Sequence, residues 1–277
     1  MVYSDIVVQI DKSDALGRYE AAVALAARGH GRVQGVYLKT SLINQYNSID
    51  PIAWLPPDTL NQLVHEHIAA QDRAAEASSA ALTAIAKRVG VEVDWQVVSG
   101  DTPDDLVALG RCADLVVLPP PTPYAAYSVH ASAVAVGLEC GGPILIVPEG
   151  SQPSGIGARV LIAWNGGREA ARAVRDALPL LAAGAAVEVR VAGASTDDPA
   201  GGLRRWLEGR GLKVNVVVAA HHADEHVADW LAAEAKQAGC DMIVMGLYGH
   251  TRVRELVLGG VSRGMLHAPP LPLLISH

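Results

Sequence analysis

Cysteine is scarce: Cys112, Cys140 and Cys240 stand far apart in a chain of 277 residues. Their odd number and lack of zinc spacing exclude a disulfide-built scaffold and a cysteine zinc centre, leaving reduced thiols, two of them beside apolar runs. Runs of like charge are also missing, and only 18% of residues are charged while half are apolar, so the composition is that of a folded core and not of a disordered chain. No window reaches about 18 uninterrupted apolar residues, and the first residues show no basic segment leading into a long apolar stretch. Neither secretion nor membrane spanning is expected, and a cytoplasmic location fits the thiols. With 22 basic against 29 acidic residues the net charge is −7, which argues against nucleic acid or an anionic membrane as partner. Any bound anion has to be held by local geometry.

Catalytic constellations are absent too. There is no nucleophile elbow, no paired-carboxylate arrangement and no cysteine with a histidine placed to activate it. No lysine follows the glycines in the pattern of a nucleotide-hydrolase P-loop. No catalytic residue is assigned, and a non-enzymatic role is expected, weak ATP hydrolysis being the lesser alternative. In "HHADEHVADW", His222 and His226 are four apart, as metal ligands on one helical face would be. Asp224, however, is better read as the N-cap of a helix that leaves His222 outside, so no metal site is expected.

What is present is alternation. "DIVVQI", "GRVQGVYL", "VEVDWQVV" and "ADLVVLP" are short apolar strands, separated by helical spacing in "ALGRYEAAVALAARGH", by a long alanine-rich helix from about Leu60 to Val89, and by a short helix near "TPDDLVALGRC". Near-continuous apolar strands alternating with helices indicate an α/β fold whose parallel sheets are covered on both faces. The second half repeats the order: "ARVLIAWN", a helix over "GREAARAVRDALPLLAAG", "AVEVRVAGA", "GGLRRWLEGRG", "LKVNVVVAA", "HVADWLAAEAKQAG" and "CDMIVMG". The best local match pairs Ala113 to Leu118 with Cys240 to Met245, and both halves end on an apolar strand after proline, "PILIVPEG" and "PLPLLISH". This is an internal repeat. The proline-, glycine- and serine-rich "PEGSQPSGIGA" reads as the linker. Domains over 1–150 and 155–277 are expected, with the boundary near residue 154.

With these residues the chain resembles a tandem universal stress protein, two copies of one small α/β domain fused. The resemblance covers nearly all of both halves, but its specific motif occurs only in the second. Members that bind ATP carry a glycine, two residues, a glycine, nine residues, a glycine and a small hydroxyl residue after the fourth strand. Gly246, Gly249 and Gly259 have that spacing, while Gly260 stands where serine or threonine would be. The resemblance implies an adenine nucleotide (ATP, ADP or AMP) in the second half, with magnesium as a candidate companion ion. It also implies dimerisation through the last strand, so "PILIV" and "LPLLI" are expected to meet as an intrachain pseudo-dimer, the chain being a monomer with paired halves or a homodimer.

Independently of the family, a strand that delivers its end into a glycine-bearing loop, with a helix opening near Gly260-Val261-Ser262, presents backbone N–H groups to an anion. The cradle reading therefore takes in Gly246, Leu247, Gly249, Gly259, Gly260, Val261 and Ser262. Glycines serving only tight turns and close packing are the other reading. In the first half Pro119-Pro120-Pro121 follows "ADLVVL"; proline has no N–H, so that half is expected to lack the site. Asp11 and Asn165 match at the ends of the two first strands. The resemblance puts an aspartate there near the nucleoside. Asn165 keeps hydrogen-bonding capacity but is a poorer magnesium partner; its other reading is a strand-end or helix cap. Trp164 can stack on a base or simply pack. The functional expectation is a stress-response or signalling protein that binds a nucleotide without catalysis. A nucleotide-free scaffold or protein-interaction module on the same fold is the alternative.

Overall fold

A computed structural model describes residues 2–10, 15–42, 55–99, 103–121, 133–151, 155–193, 198–219, 227–247 and 260–277. The strands are β1 (Asp5–Ile10), β2 (Arg32–Lys39), β3 (Glu92–Ser99), β4 (Leu115–Leu118) and β5 (Ile144–Ile146), then β6 (Arg159–Ala163), β7 (Ala186–Ala192), β8 (Lys213–Ala219), β9 (Met242–Gly246) and β10 (Leu273–Ser276). Among the described residues the helices are α1 (Leu16–Arg28), α2 (Pro57–Val89), α3 (Asp104–Gly110) and α4 (Ala133–Glu139), then α5 (Arg168–Ala177), α6 (Gly201–Glu208), α7 (Val227–Gln237) and α8 (Gly260–His267).

The strands form one ten-stranded sheet in the order β3-β2-β1-β4-β5-β10-β9-β6-β7-β8. Within each half every pairing is parallel, and the halves join where β5 meets β10 antiparallel, with Leu273 opposite Ile146, Leu274 opposite Leu145 and Ile275 opposite Ile144. This is the expected pseudo-dimer: the two proline-preceded terminal strands cover each other's edges, which would otherwise present unpaired backbone groups. Alternating side chains feed two cores. Ile6, Val8, Leu145 and Leu274 point to a layer that includes residues of α1, α2, α5 and α6, while Val7, Ile144, Leu273 and Ile275 point to one that includes residues of α3, α4, α7 and α8.

Local chemistry explains the helix limits. α2 starts with Pro57, where a missing N–H costs nothing, carries Asp58 in its first turn and Lys87 and Arg88 in its last, and stops at Gly90 with φ of 74°. The spacing expected α5 to run through "ALPLLAAG". It ends at Ala177 instead, because Pro179 has no N–H to continue the ladder and Leu178–Leu180 close as a 3₁₀ turn. The boundary expected near residue 154 lies outside the described residues.

The repeat has a physical mark in two aspartates. Asp114 accepts the backbone N–H groups of Ser4 (2.8 Å) and Asp5 (3.0 Å) and the Ser4 hydroxyl (3.0 Å), tying the start of β1 to β4. Asp241 does the same between β9 and β6, accepting from Gly157 (2.7 Å), Ala158 (2.9 Å) and Arg159 (2.7 Å). Burial pushes the Asp114 carboxyl up, but the Ser4 and Asp5 donors outweigh it and hold the group below its ordinary value of 3.8. Because the folded form binds its proton less readily, Asp114 contributes stability above the ordinary value that is lost as pH falls through the lowered one. The expected outcome for Asp114→Asn is a stability profile that falls less steeply on acidification between about pH 5 and 3. Denaturant midpoints across that range check it, and parallel profiles for wild type and variant would refute it.

Further bonds lock the halves together. Tyr3 donates its hydroxyl to the Asp176 carbonyl (2.5 Å), Arg28 donates to the carbonyls of Ile156 (2.8 Å) and Leu180 (3.3 Å), and Arg172 donates to the Gly141 carbonyl.

Candidate functional site

In the second half the chain runs outward from β6 to β7 and β8, then returns to place β9 on the other side of β6. The crevice beyond the carboxyl ends of β6 and β9 is therefore the topological switch point, where open α/β sheets take their ligands. Parallel register puts Ala163 opposite Met245. Trp164 and Asn165 thus leave the sheet beside Gly246 and Leu247, and four of the sequence candidates are neighbours at one crevice.

Their individual roles differ. Asn165 accepts the Gly167 N–H on its side-chain oxygen (2.9 Å), forming the turn that leads into α5, whose own N-cap, Gly167, supplies no side-chain cap. The Asn165 amide nitrogen has no partner among the described residues. Trp164 turns its ring toward the α5 and α6 layer, packs against the first core, and donates its indole N–H to the Pro199 carbonyl (3.2 Å). That ring packs on the α5 and α6 side of the sheet and lines a cleft between those helices.

Gly246 lies against the first turn of α5: a Cβ there would stand 2.5 Å from the Ala170 nitrogen and 2.6 Å from the Glu169 carbonyl carbon. A helix backbone is what this glycine admits. Leu247 is fully buried, donates its N–H to the Ser276 carbonyl (2.7 Å), and has its own carbonyl bonded by His277 Nδ1 at 3.0 Å. Both backbone groups of Leu247 are therefore spent on the β10 end, and this residue has no open donor to offer.

Gly249 and Gly259 lie outside the described residues, as do Asp11, His222, Asp224 and His226. The described residues resume at α8, whose first residue is Gly260, with Val261 half-buried and Ser262 buried at its amino end. α8 packs on α7, on the sheet face opposite α5. The helix start expected at Gly260-Val261-Ser262 is where the structure has it. Among the described residues no group of three or more His, Cys, Asp or Glu side chains is arranged to hold a metal.

Two charged features here escaped the sequence reading. Glu169, in the first turn of α5 beside Gly246, is buried; burial pushes its carboxyl up, but the helix N–H, Arg168 and His277 together hold it below the ordinary value, so it remains ionised. Behind the crevice, buried Glu188 and Arg190 of β7 pair at 3.1 Å; Arg190 also reaches Glu234 of α7 (2.6 Å), and Asn215 of β8 donates to Glu188 (2.7 Å). The only signal for this network was the alternation Val-Glu-Val-Arg-Val within an otherwise apolar strand. Burial also pushes the Cys240 thiol up, to about 11, and raises Cys140; both are buried free thiols kept protonated.

In the first half, Pro119, Pro120 and Pro121 follow β4. They can donate no backbone N–H at the corresponding switch point between β1 and β4.

A doubly wound α/β sheet with helices on both faces and its crevice at the strand ends defines the class. Residues 158–277 match the universal stress protein family model, so this half of the chain is similar to that family. A universal stress protein of Synechocystis sp. is 27% identical over 138 residues, 48% of this chain and 46% of the relative, so the match spans about half of each. Across the whole chain the fold is that of a universal stress protein from Archaeoglobus fulgidus, with a TM-score of 0.72 at 13% identity, covering 99% of this chain and 96% of that one. A universal stress protein solved in complex with cAMP matches 54% of this chain and 99% of its own at 21% identity and a TM-score of 0.39. No helix among the described residues is long and apolar enough to cross a membrane.

Proposed function

We propose that this chain is a non-catalytic stress-response or signalling protein that binds one adenine nucleotide, ATP, ADP or AMP, at the switch point of its second half. The observation that carries the reading is the register of β6 against β9, which brings Trp164-Asn165 and Gly246-Leu247 to one crevice, with the glycine-spaced segment next in the chain after Leu247. The phosphates fall to the N–H groups of that segment and of the amino end of α8, and the Asn165 amide faces the nucleoside. Without a carboxylate at position 165, magnesium is held mainly by the phosphates themselves. The domains behind this reading are 1–150, with a degenerate phosphate loop, and 155–277. The site is intracellular, in a cytoplasmic protein.

Calorimetric titration of the full chain with ATP, and separately AMP, with and without magnesium, tests it. One site per chain is expected, crosslinking to the second half. Two equivalent sites, or a sole site in the first half, would overturn the reading.

A nucleotide-free scaffold is the second reading, and a specific observation favours it. Gly246 is accounted for by the close approach of the α5 backbone alone, and Leu247 has no free N–H to offer. Native mass spectrometry of freshly purified protein separates the two, since a co-purified nucleotide adds its own mass.

A further inference from the structure

The crossover from β2 to β3 is made by α2, 33 residues long, whereas the matching crossover from β7 to β8 is made by α6, with eight. At 1.5 Å per residue these helices span about 50 Å and about 12 Å. In the first half the long helix lays Ala75, Ser78, Leu82 and Ile85 inward and closes the flank of α1. In the second half the short helix leaves an open cleft of about 200 Å³ beside α5. Its walls are Trp164 and Trp206, with Leu203, Val174 and Ala171 and the side chain of Arg175.

Two of the five tryptophans of a chain with no phenylalanine are spent on this one slot. Neither ring is free to rotate away: Trp164 is tied to the Pro199 carbonyl, and Trp206 is stacked by Arg210 at 3.6 Å, with Arg175 at 5.9 Å from the same ring. Size and charge narrow the occupant. An apolar cavity of about 150 Å³ accepts benzene, and drug-sized ligands need about 300 Å³ or more, so the slot suits one or two fused rings and not a whole nucleotide. Around it, α5, α6 and Arg210 carry Arg168, Arg172, Arg175, Arg204, Arg205 and Arg210 against Glu169, Asp176 and Glu208, a local excess of basic charge in a protein whose net charge is −7. The slot also opens in the α5 and α6 layer, on the opposite face of the sheet from α8.

We infer that the slot between α5 and α6 is a second ligand site, for a small planar aromatic carboxylate whose ring lies between the two tryptophans and whose carboxylate meets Arg175. Arg175 already donates to the Ala171 carbonyl (3.0 Å), which holds its guanidinium at the rim while leaving other N–H groups for an anion.

The test is titration of the full chain with 2-naphthoate and with neutral 2-naphthamide, followed by calorimetry. Both are expected to bind, the carboxylate more tightly. Arg175→Gln should weaken 2-naphthoate about threefold and leave 2-naphthamide unchanged, the size of an exposed charge contact. Ala171→Phe, which fills the slot from a half-exposed position, should abolish both while leaving the denaturant midpoint within the ordinary range of a surface change. ATP should not displace either compound. The inference is overturned by no saturable binding up to about 10 mM, by undiminished binding to Ala171→Phe, by equal affinity for acid and amide, or by competition with ATP.

Discussion

Leu274→Ala is expected to cost about 2–5 kcal/mol of stability, and Leu274→Asp more than that, enough to remove the cooperative unfolding transition. Leu274 is fully buried in β10 and lies opposite fully buried Leu145 across the antiparallel seam that turns two five-stranded units into one sheet. Truncation there opens a cavity at the junction, where material from both halves is close-packed and little can collapse to fill it. A carboxylate in the same place has no partner, since Leu145 and the first core surround it. For a native state stable by about 5–15 kcal/mol, either change is large. Denaturant midpoints at constant slope measure the alanine variant, and near-ultraviolet dichroism shows whether the aspartate variant folds. Leu145→Ala should cost a similar amount, with the double variant losing less than the sum because both act on one contact. Midpoints unchanged by either alanine substitution would mean that the seam contributes nothing to stability.

The second large effect separates two glycines three residues apart. Gly246→Ala is expected to lower stability by about 1–3 kcal/mol, the usual cost of forcing an atom into a packed interior, because its Cβ would meet backbone atoms of Glu169 and Ala170 that cannot rotate aside. Nucleotide affinity of the folded fraction should change little. Gly249→Asp is expected to do the reverse: a carboxylate about 4 Å from a phosphate is opposed by roughly 1 kcal/mol in water and about 4 kcal/mol at an effective dielectric of 20, so affinity should fall tenfold or more. Its midpoint should move less than that of Gly246→Ala. Measuring both quantities on both variants is decisive, since equal losses of stability with no change in affinity would make every glycine of the segment a packing residue.

These two glycines also show how far residue type alone can be read. The spacing of Gly246, Gly249 and Gly259 identified a segment where backbone must come close to something, and glycine is indifferent to what that something is. At Gly246 the neighbour is the first turn of α5, which follows β6 some eighty positions earlier in the chain. Leu247 was included for its place in the segment, yet its N–H had already gone to Ser276, a bond that exists only because β10 lies parallel beside β9. Trp164 stood open between stacking on a base and packing; its indole N–H goes to the Pro199 carbonyl, a partner that only the folded chain brings to it.

By itself the sequence determined what repeats and local chemistry can carry. Apolar strands alternating with helices required a sheet covered on both faces, and the paired "AD" and "CD" openings marked two copies, whose Asp114 and Asp241 make equivalent bonds to their first strands. Pro119 to Pro121 removed backbone donors from one crevice, and the proline-preceded terminal strands pointed to the seam. These features depend on neighbours a few residues apart, or on a pattern present twice. Tertiary structure decided the rest: which backbone Gly246 admits, where Leu247 spends its hydrogen bonds, how Glu188, Arg190 and Glu234 satisfy one another in the interior, and that an eight-residue α6 in place of a 33-residue α2 leaves a tryptophan-walled slot. Each is a contact between elements distant in the chain, formed only once the sheet order brings them together, and no local propensity encodes which partner arrives.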